Sequence, residues 1–144
     1  MSLSELLKTG AVEKFESDPE QTKNKVEISK GHLASAKKML GIEEWEWAYI
    51  AAYNSMLLAS VALMHAKGYR ARGADHHAST IKFVQAVYSK KFSEELLLAL
   101  DKARKLRNDA VYDTPKVISR SQSETLMKLA ETFLAIALQQ LETS

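Results

Sequence analysis

The sequence predicts an all-α fold, an antiparallel up-and-down helical bundle of four to five helices, on three observations. Apolar side chains recur at three- and four-residue spacings through most of the chain. Helix start and stop signals fall between those stretches, with only two prolines and five glycines to punctuate 144 residues. No segment sustains the alternation of apolar and polar residues that a half-buried strand requires, so no sheet is expected. The connections read as short, which suits antiparallel neighbours. The length suits one domain over residues 1–144, and 46% apolar residues supply a core without metal or crosslinks.

The elements follow in order. Ser4 to Phe15 reads as a short first helix interrupted by Gly10. Asp18-Pro19-Glu20 is a strong start signal: Asp18 accepts from free first-turn amides, Pro19 suits the first helical position and Glu20 the positive dipole end. That helix should stop at Gly41, with Val26, Leu33, Ala36 and Leu40 as its apolar stripe. Glu43 to Lys67 reads as a helix apolar almost all round, hence at the bundle centre. Along it Ala48, Ala52, Ser55, Ala59, Ala62 and Ala66 form a row of small side chains that permits close approach by a neighbour. Its polar interruptions make it a buried core helix rather than a membrane span. Ala74 to about Lys90 is the next helix, and Ser93 caps another that runs to about Val111. Asp113-Thr114-Pro115 breaks the pattern, and Ser121-Gln122-Ser123-Glu124 reads as a capping box opening the last helix.

Composition excludes several classes of chemistry. There is no cysteine, so thiolate chemistry, disulfides and zinc–sulfur sites are out, which suits a reducing cytoplasm. The start of the chain lacks a secretory pattern, and cytoplasmic localisation without membrane association is expected. A net charge of +2 leaves any nucleic-acid binding to local clusters. No phosphate-binding glycine loop, nucleophile elbow, dinucleotide fingerprint or Glu-x-x-His pair occurs. His76 and His77 are adjacent and point about 100° apart on a helix, a poor geometry for sharing one metal. No metal and no cofactor are expected, though either histidine can serve as acid or base.

Leu106-Arg107-Asn108-Asp109-Ala110-Val111-Tyr112-Asp113 carries most of the site information. Arg107 lies beside the inner stripe of its helix, where a guanidinium needs an anionic or carbonyl partner. Its donor fork suits phosphate oxygens. Arg104, Asn108 and Tyr112 follow at four-residue spacing as a polar row. The alternative is structural: Arg107 pairs with a bundle carboxylate and Tyr112 plugs the helix end. Two cationic clusters flank this segment. One runs from Lys102 to Arg107, and the other holds Lys67, Tyr69, Arg70 and Arg72. Cations beside a tyrosine can hold a nucleic-acid backbone and stack a base, or can be an ordinary solvated face. The candidate ligand-binding residues are therefore Arg104, Arg107, Asn108, Tyr112, Tyr69, Arg70, Arg72 and His76.

The order of these segments resembles the HEPN domain family (higher eukaryotes and prokaryotes nucleotide-binding), and more narrowly its prokaryotic stand-alone members. The resemblance rests on the helix Ala51 to Leu63, its His65-Ala66-Lys67-Gly68-Tyr69-Arg70 ending, the later Arg107 to Asp113 segment and the serine-rich start of the last helix. It covers about residues 44–141. It implies a helical bundle that often forms a homodimer and acts on RNA or nucleotides, commonly in toxin–antitoxin or defence modules beside a small nucleotidyltransferase partner. Active members are metal-independent ribonucleases with an arginine followed four to six residues later by histidine. Arg107 matches that arginine, but Tyr112 stands where the histidine belongs, and no histidine follows His77. A phenol with an ordinary pKa near 10 is a poor general base. The resemblance therefore implies a nucleotide- or RNA-binding or regulatory subunit rather than an enzyme. Alternatives are a weak ribonuclease, with Arg107, Tyr112 and His77 as candidate catalytic residues, and a purely structural dimerisation module.

Overall fold

A computed structural model describes the backbone of residues 1–112 and 118–143 and the side chains of residues 1–109 and 118–143. Among these residues it is a helical bundle of six helices with one small two-stranded sheet. The helices are α1 (Leu3–Lys8), α2 (Pro19–Gly41), α3 (Trp45–Ala66), α4 (His76–Val87), α5 (Glu94–Tyr112) and α6 (Arg120–Glu142). The strands are β1 (Val12–Lys14) and β2 (Tyr69–Ala71), paired antiparallel with Val12 opposite Ala71 and Lys14 opposite Tyr69.

The caps explain most boundaries. The Asp18 side chain accepts from the Glu20 amide and Pro19 takes the first helical position of α2. The Ser93 hydroxyl accepts from the Leu96 amide at the start of α5. Between α2 and α3 the chain turns through Glu43 at φ 61°, so α3 begins at Trp45 rather than Glu43. The last helix also departs from expectation. Its capping box joins Ser119 and Gln122, two residues earlier than the serine-rich pattern suggests, because Ser119 supplies the hydroxyl in an extended backbone conformation. Ser123 is left free to send its hydroxyl to the Trp45 carbonyl, tying α6 to the start of α3. The break at residues 113–115 lies outside the described residues.

α3 is the centre of the bundle. Thirteen of its residues are buried, and it packs against α2, α4, α5 and α6. By length and composition it could cross a membrane, but most of it is covered by the bundle. The small-residue row meets α2: the buried Ser29 hydroxyl donates to the Ser55 carbonyl at 2.7 Å, which requires close backbones. Phe92 stacks on Phe133 at 4.3 Å between ring centroids, joining the α4–α5 turn to α6.

The sheet corrects the expectation of none. Ser4 to Phe15 is not one interrupted helix: α1 ends at Lys8, Gly10 adopts φ 77°, and the chain extends into β1. β2 follows Gly68 at φ 84°, a conformation costly for a residue with a Cβ. Each strand has three residues, too few for alternation to be visible in sequence, and the pairing joins segments far apart in the chain.

Candidate functional site: an arginine, histidine and tyrosine cluster

Three helices meet at the cluster. α3 brings Tyr53, α4 opens with His76 and His77, and α5 contributes Asp101, Arg104, Arg107 and Asn108. Tyr53 is fully buried, and its hydroxyl lies 3.0 Å from His77 Nδ1. The two rings sit 5.9 Å apart between centroids. Burial raises the Tyr53 pKa, more than the nearby Arg107 and Arg104 charges lower it, so the phenol stays protonated and can give or take the hydrogen bond. Burial also holds the His77 pKa below its ordinary 6.5. The Arg107 charge pushes the same way, Asp75 opposes it, and Arg104 and His76 add to the lowering. His77 is therefore a neutral imidazole at physiological pH, fixed through Nδ1 and surrounded by positive charge.

Around this pair the arginines are held in place. Arg104, 17% exposed, donates to Asp101 at 3.2 Å and lies 3.7 Å from Asp75. Asp75 also caps α4, its carboxylate accepting from the Ala78 amide at 3.0 Å. Burial would raise the Asp101 pKa, but hydrogen bonds from Lys105 and Arg104 outweigh that and hold it low. The Arg107 Nη1 donates to Asn108 Oδ1 at 3.4 Å. The cluster thus combines guanidinium donors with a neutral imidazole, an arrangement suited to oxyanions.

The structure brings Arg104, Arg107, Asn108, His76 and His77 together. The side chain of Tyr112 lies outside the described residues. Tyr69, Arg70 and Arg72 fall on and beside β2. Tyr69 is half-buried with its ring 5.5 Å from Phe83. Arg70 donates to Glu13 at 2.7 Å and packs over Phe15, while Arg72 lies 3.5 Å from the same carboxylate. Sequence reasoning passed over Tyr53, Asp75 and Asp101. Tyr53 looks like one more core aromatic. Asp75 and Asp101 carried usable signals: the first precedes a helix, and the second lies three residues before Arg104. No group of three or more histidine, aspartate and glutamate side chains suited to a metal occurs among the described residues.

The fold and cluster define a helical-bundle domain of a known class. The family model of the HEPN domain matches residues 3–141, and the chain belongs to that family. Among solved structures it is similar to the TT1696 protein of Thermus thermophilus, at 21% identity, a TM-score of 0.65, and coverage of 83% of this chain and 98% of that one. At that identity the likeness speaks for the fold. No curated protein matches the chain. Membership of the family supports a role related to nucleotides or RNA in general terms.

Proposed function

We propose that this chain, acting as one unit over residues 1–144, binds phosphate groups of RNA or a nucleotide at the Arg104–Arg107–Asn108 cluster, as a binding or regulatory subunit. The observation that carries this reading is the convergence of Arg104 and Arg107 on the bonded pair of buried Tyr53 and half-buried His77. Arginine forks pair with phosphate oxygens, and a neutral imidazole adds a donor or acceptor without competing charge. His76 is assigned to the same surface, and Tyr112 is kept as a candidate ligand-binding residue on the sequence pattern alone. Tyr69, Arg70 and Arg72 are assigned a flanking arm; the Arg72 carbonyl accepts from Ser79 of α4, the helix that begins at His76. Glu13 offsets part of that arm's charge.

One observation favours a second reading, a weak metal-independent ribonuclease. His77 is neutral at physiological pH and lies within reach of the Arg107 charge, so a base and a phosphate-stabilising cation are both present. Incubation of a short RNA with the wild type in the presence of a chelator tests it. Cleavage that is lost in His77→Ala and Arg107→Ala supports the enzyme; RNA or ATP binding without cleavage supports the binding subunit. Neither binding nor cleavage overturns both.

The purely structural module is disfavoured, because the small-residue row that would serve it is already covered by α2. A homodimer in the cytoplasm is proposed on the family's habit and on the exposed Ile42, Trp47 and Leu98 side chains. A nucleotidyltransferase partner in a toxin–antitoxin or defence module rests on the family alone. Sedimentation as a monomer at micromolar concentration would count against the dimer.

A further inference from the structure

A second pocket lies on the other flank of α5. Around that helix the core stripe is Leu96, Leu100 and Ala103; Arg104 falls to one side of it, and Ala99 and Lys102 to the other. On the Lys102 side α5, α3 and α6 enclose a pocket of about 230 Å³. Ala99, Leu126 and Leu129 form its apolar walls, with Lys102, Ser121 and Thr125 as polar lining.

Tyr49 is the informative group. Its side chain is 5% exposed, it lines the pocket, and burial pushes its pKa up to about 12. Among the described residues no hydrogen bond is made by its hydroxyl, which is not one of the fully buried polar atoms and so remains accessible at the pocket. The phenol stays protonated and is a ready donor. Among the described lining residues, Lys102 is the one ionisable group besides Tyr49, and it is a cation. The pocket also sits at the start of α6. The capping box there uses the Ser119 and Gln122 amides, and helix geometry leaves those of Arg120 and Ser121 without acceptors inside the helix.

We propose that this pocket is a site for a small organic monoanion, an acid group on a compact apolar body, separate from the arginine cluster. The body fills the Ala99–Leu126–Leu129 walls, and the acid group takes the Tyr49 hydroxyl and the Lys102 ammonium. The volume suits a single ring or a short chain. This inference does not depend on the RNA-binding reading.

The test is titration of the full chain with benzoate, phenyl phosphate and neutral benzamide, followed by amide shifts in two-dimensional NMR. Saturable shifts at Ser121, Gln122 and Thr125 are expected with at least one of the two acids, and which one saturates tells a carboxylate from a phosphate ester. Benzamide should bind at least about fivefold more weakly, and Tyr49→Phe and Lys102→Gln should each weaken the acid by about the same factor. Tyr49→Phe should melt close to the wild-type temperature, because no hydrogen bond to a protein group is lost. The proposal is overturned if neither acid saturates by roughly 10 mM, if benzamide binds as tightly as the acids, or if both variants bind like wild type. Shifts confined to Asn108 and His77 would put the anion on the arginine cluster and overturn it equally.

Discussion

Replacing Tyr53 by phenylalanine isolates the bond on which the cluster's geometry depends. The ring stays, so the packing of a fully buried side chain is preserved. What goes is one hydrogen bond of 3.0 Å to a half-buried imidazole. A net intramolecular hydrogen bond contributes about 0.5–1.5 kcal/mol, and the His77 Nδ1 left behind can recover only part of this from water. The expected cost is therefore about 1 kcal/mol, or roughly 3–5 °C in melting temperature for a chain of this size. Thermal melting at pH 7.5 measures that cost. Nitrogen shifts of the His77 ring, recorded in parallel, should show Nδ1 losing its partner. Anionic ligands should bind more weakly to Tyr53→Phe even where the protein is fully folded, because the imidazole is no longer oriented. An unchanged melting temperature together with unchanged His77 ring shifts would refute the claim that Tyr53 holds this histidine.

Further outcomes follow from the same structure. Stability should fall as pH drops below about 6.5. His77, His65 and His32 all have folded pKa values below the ordinary 6.5, mainly through burial, so the unfolded chain takes up protons there that the folded chain refuses. Their contribution is complete above pH 6.5 and is lost as pH falls from 6.5 through the lowered folded values; denaturant melts at pH 7.5 and 5.5 check the sign, and His77→Gln should flatten the slope. Ser29→Ala should cost about 1 kcal/mol by leaving the α2–α3 contact at the Ser55 carbonyl short of a donor, read by urea denaturation. Gly68→Ala should cost about 1–2 kcal/mol from backbone conformation, since Gly68 has φ 84° while the nearest atom to an added Cβ, the Phe15 carbonyl oxygen, sits at an ordinary 3.6 Å.

The helical architecture was legible because it is local. Asp18-Pro19 marks the start of α2, Ser93 that of α5, and the all-round apolar character of α3 places it at the centre. The small sheet was not legible, since Val12 and Ala71 pair from segments far apart in the chain and neither strand is long enough to display a period. The α6 capping box was displaced by two residues because Ser119 and Ser121 both precede a plausible third-position partner, and only backbone conformation distinguishes them. At the site, α5 was readable as a row of cations beside the Asn108 amide. The Tyr53–His77 bond was not, because it joins two helices and one partner looks like ordinary core. The imidazole that feels the Arg107 charge, His77, lies at the start of α4, away from α5 in the chain.

The most direct measurement is the affinity of a short RNA for wild type and Arg107→Ala at two salt concentrations, by fluorescence anisotropy, beside thermal melts of both proteins. Loss of a fork donating to phosphate should weaken binding by about 1.5–3 kcal/mol, about ten- to hundredfold, and reduce its salt dependence while the melting temperature holds. A collapsed melting temperature in Arg107→Ala, with no RNA bound by the wild type, would contradict the account and make Arg107 an ion-pair residue of the core.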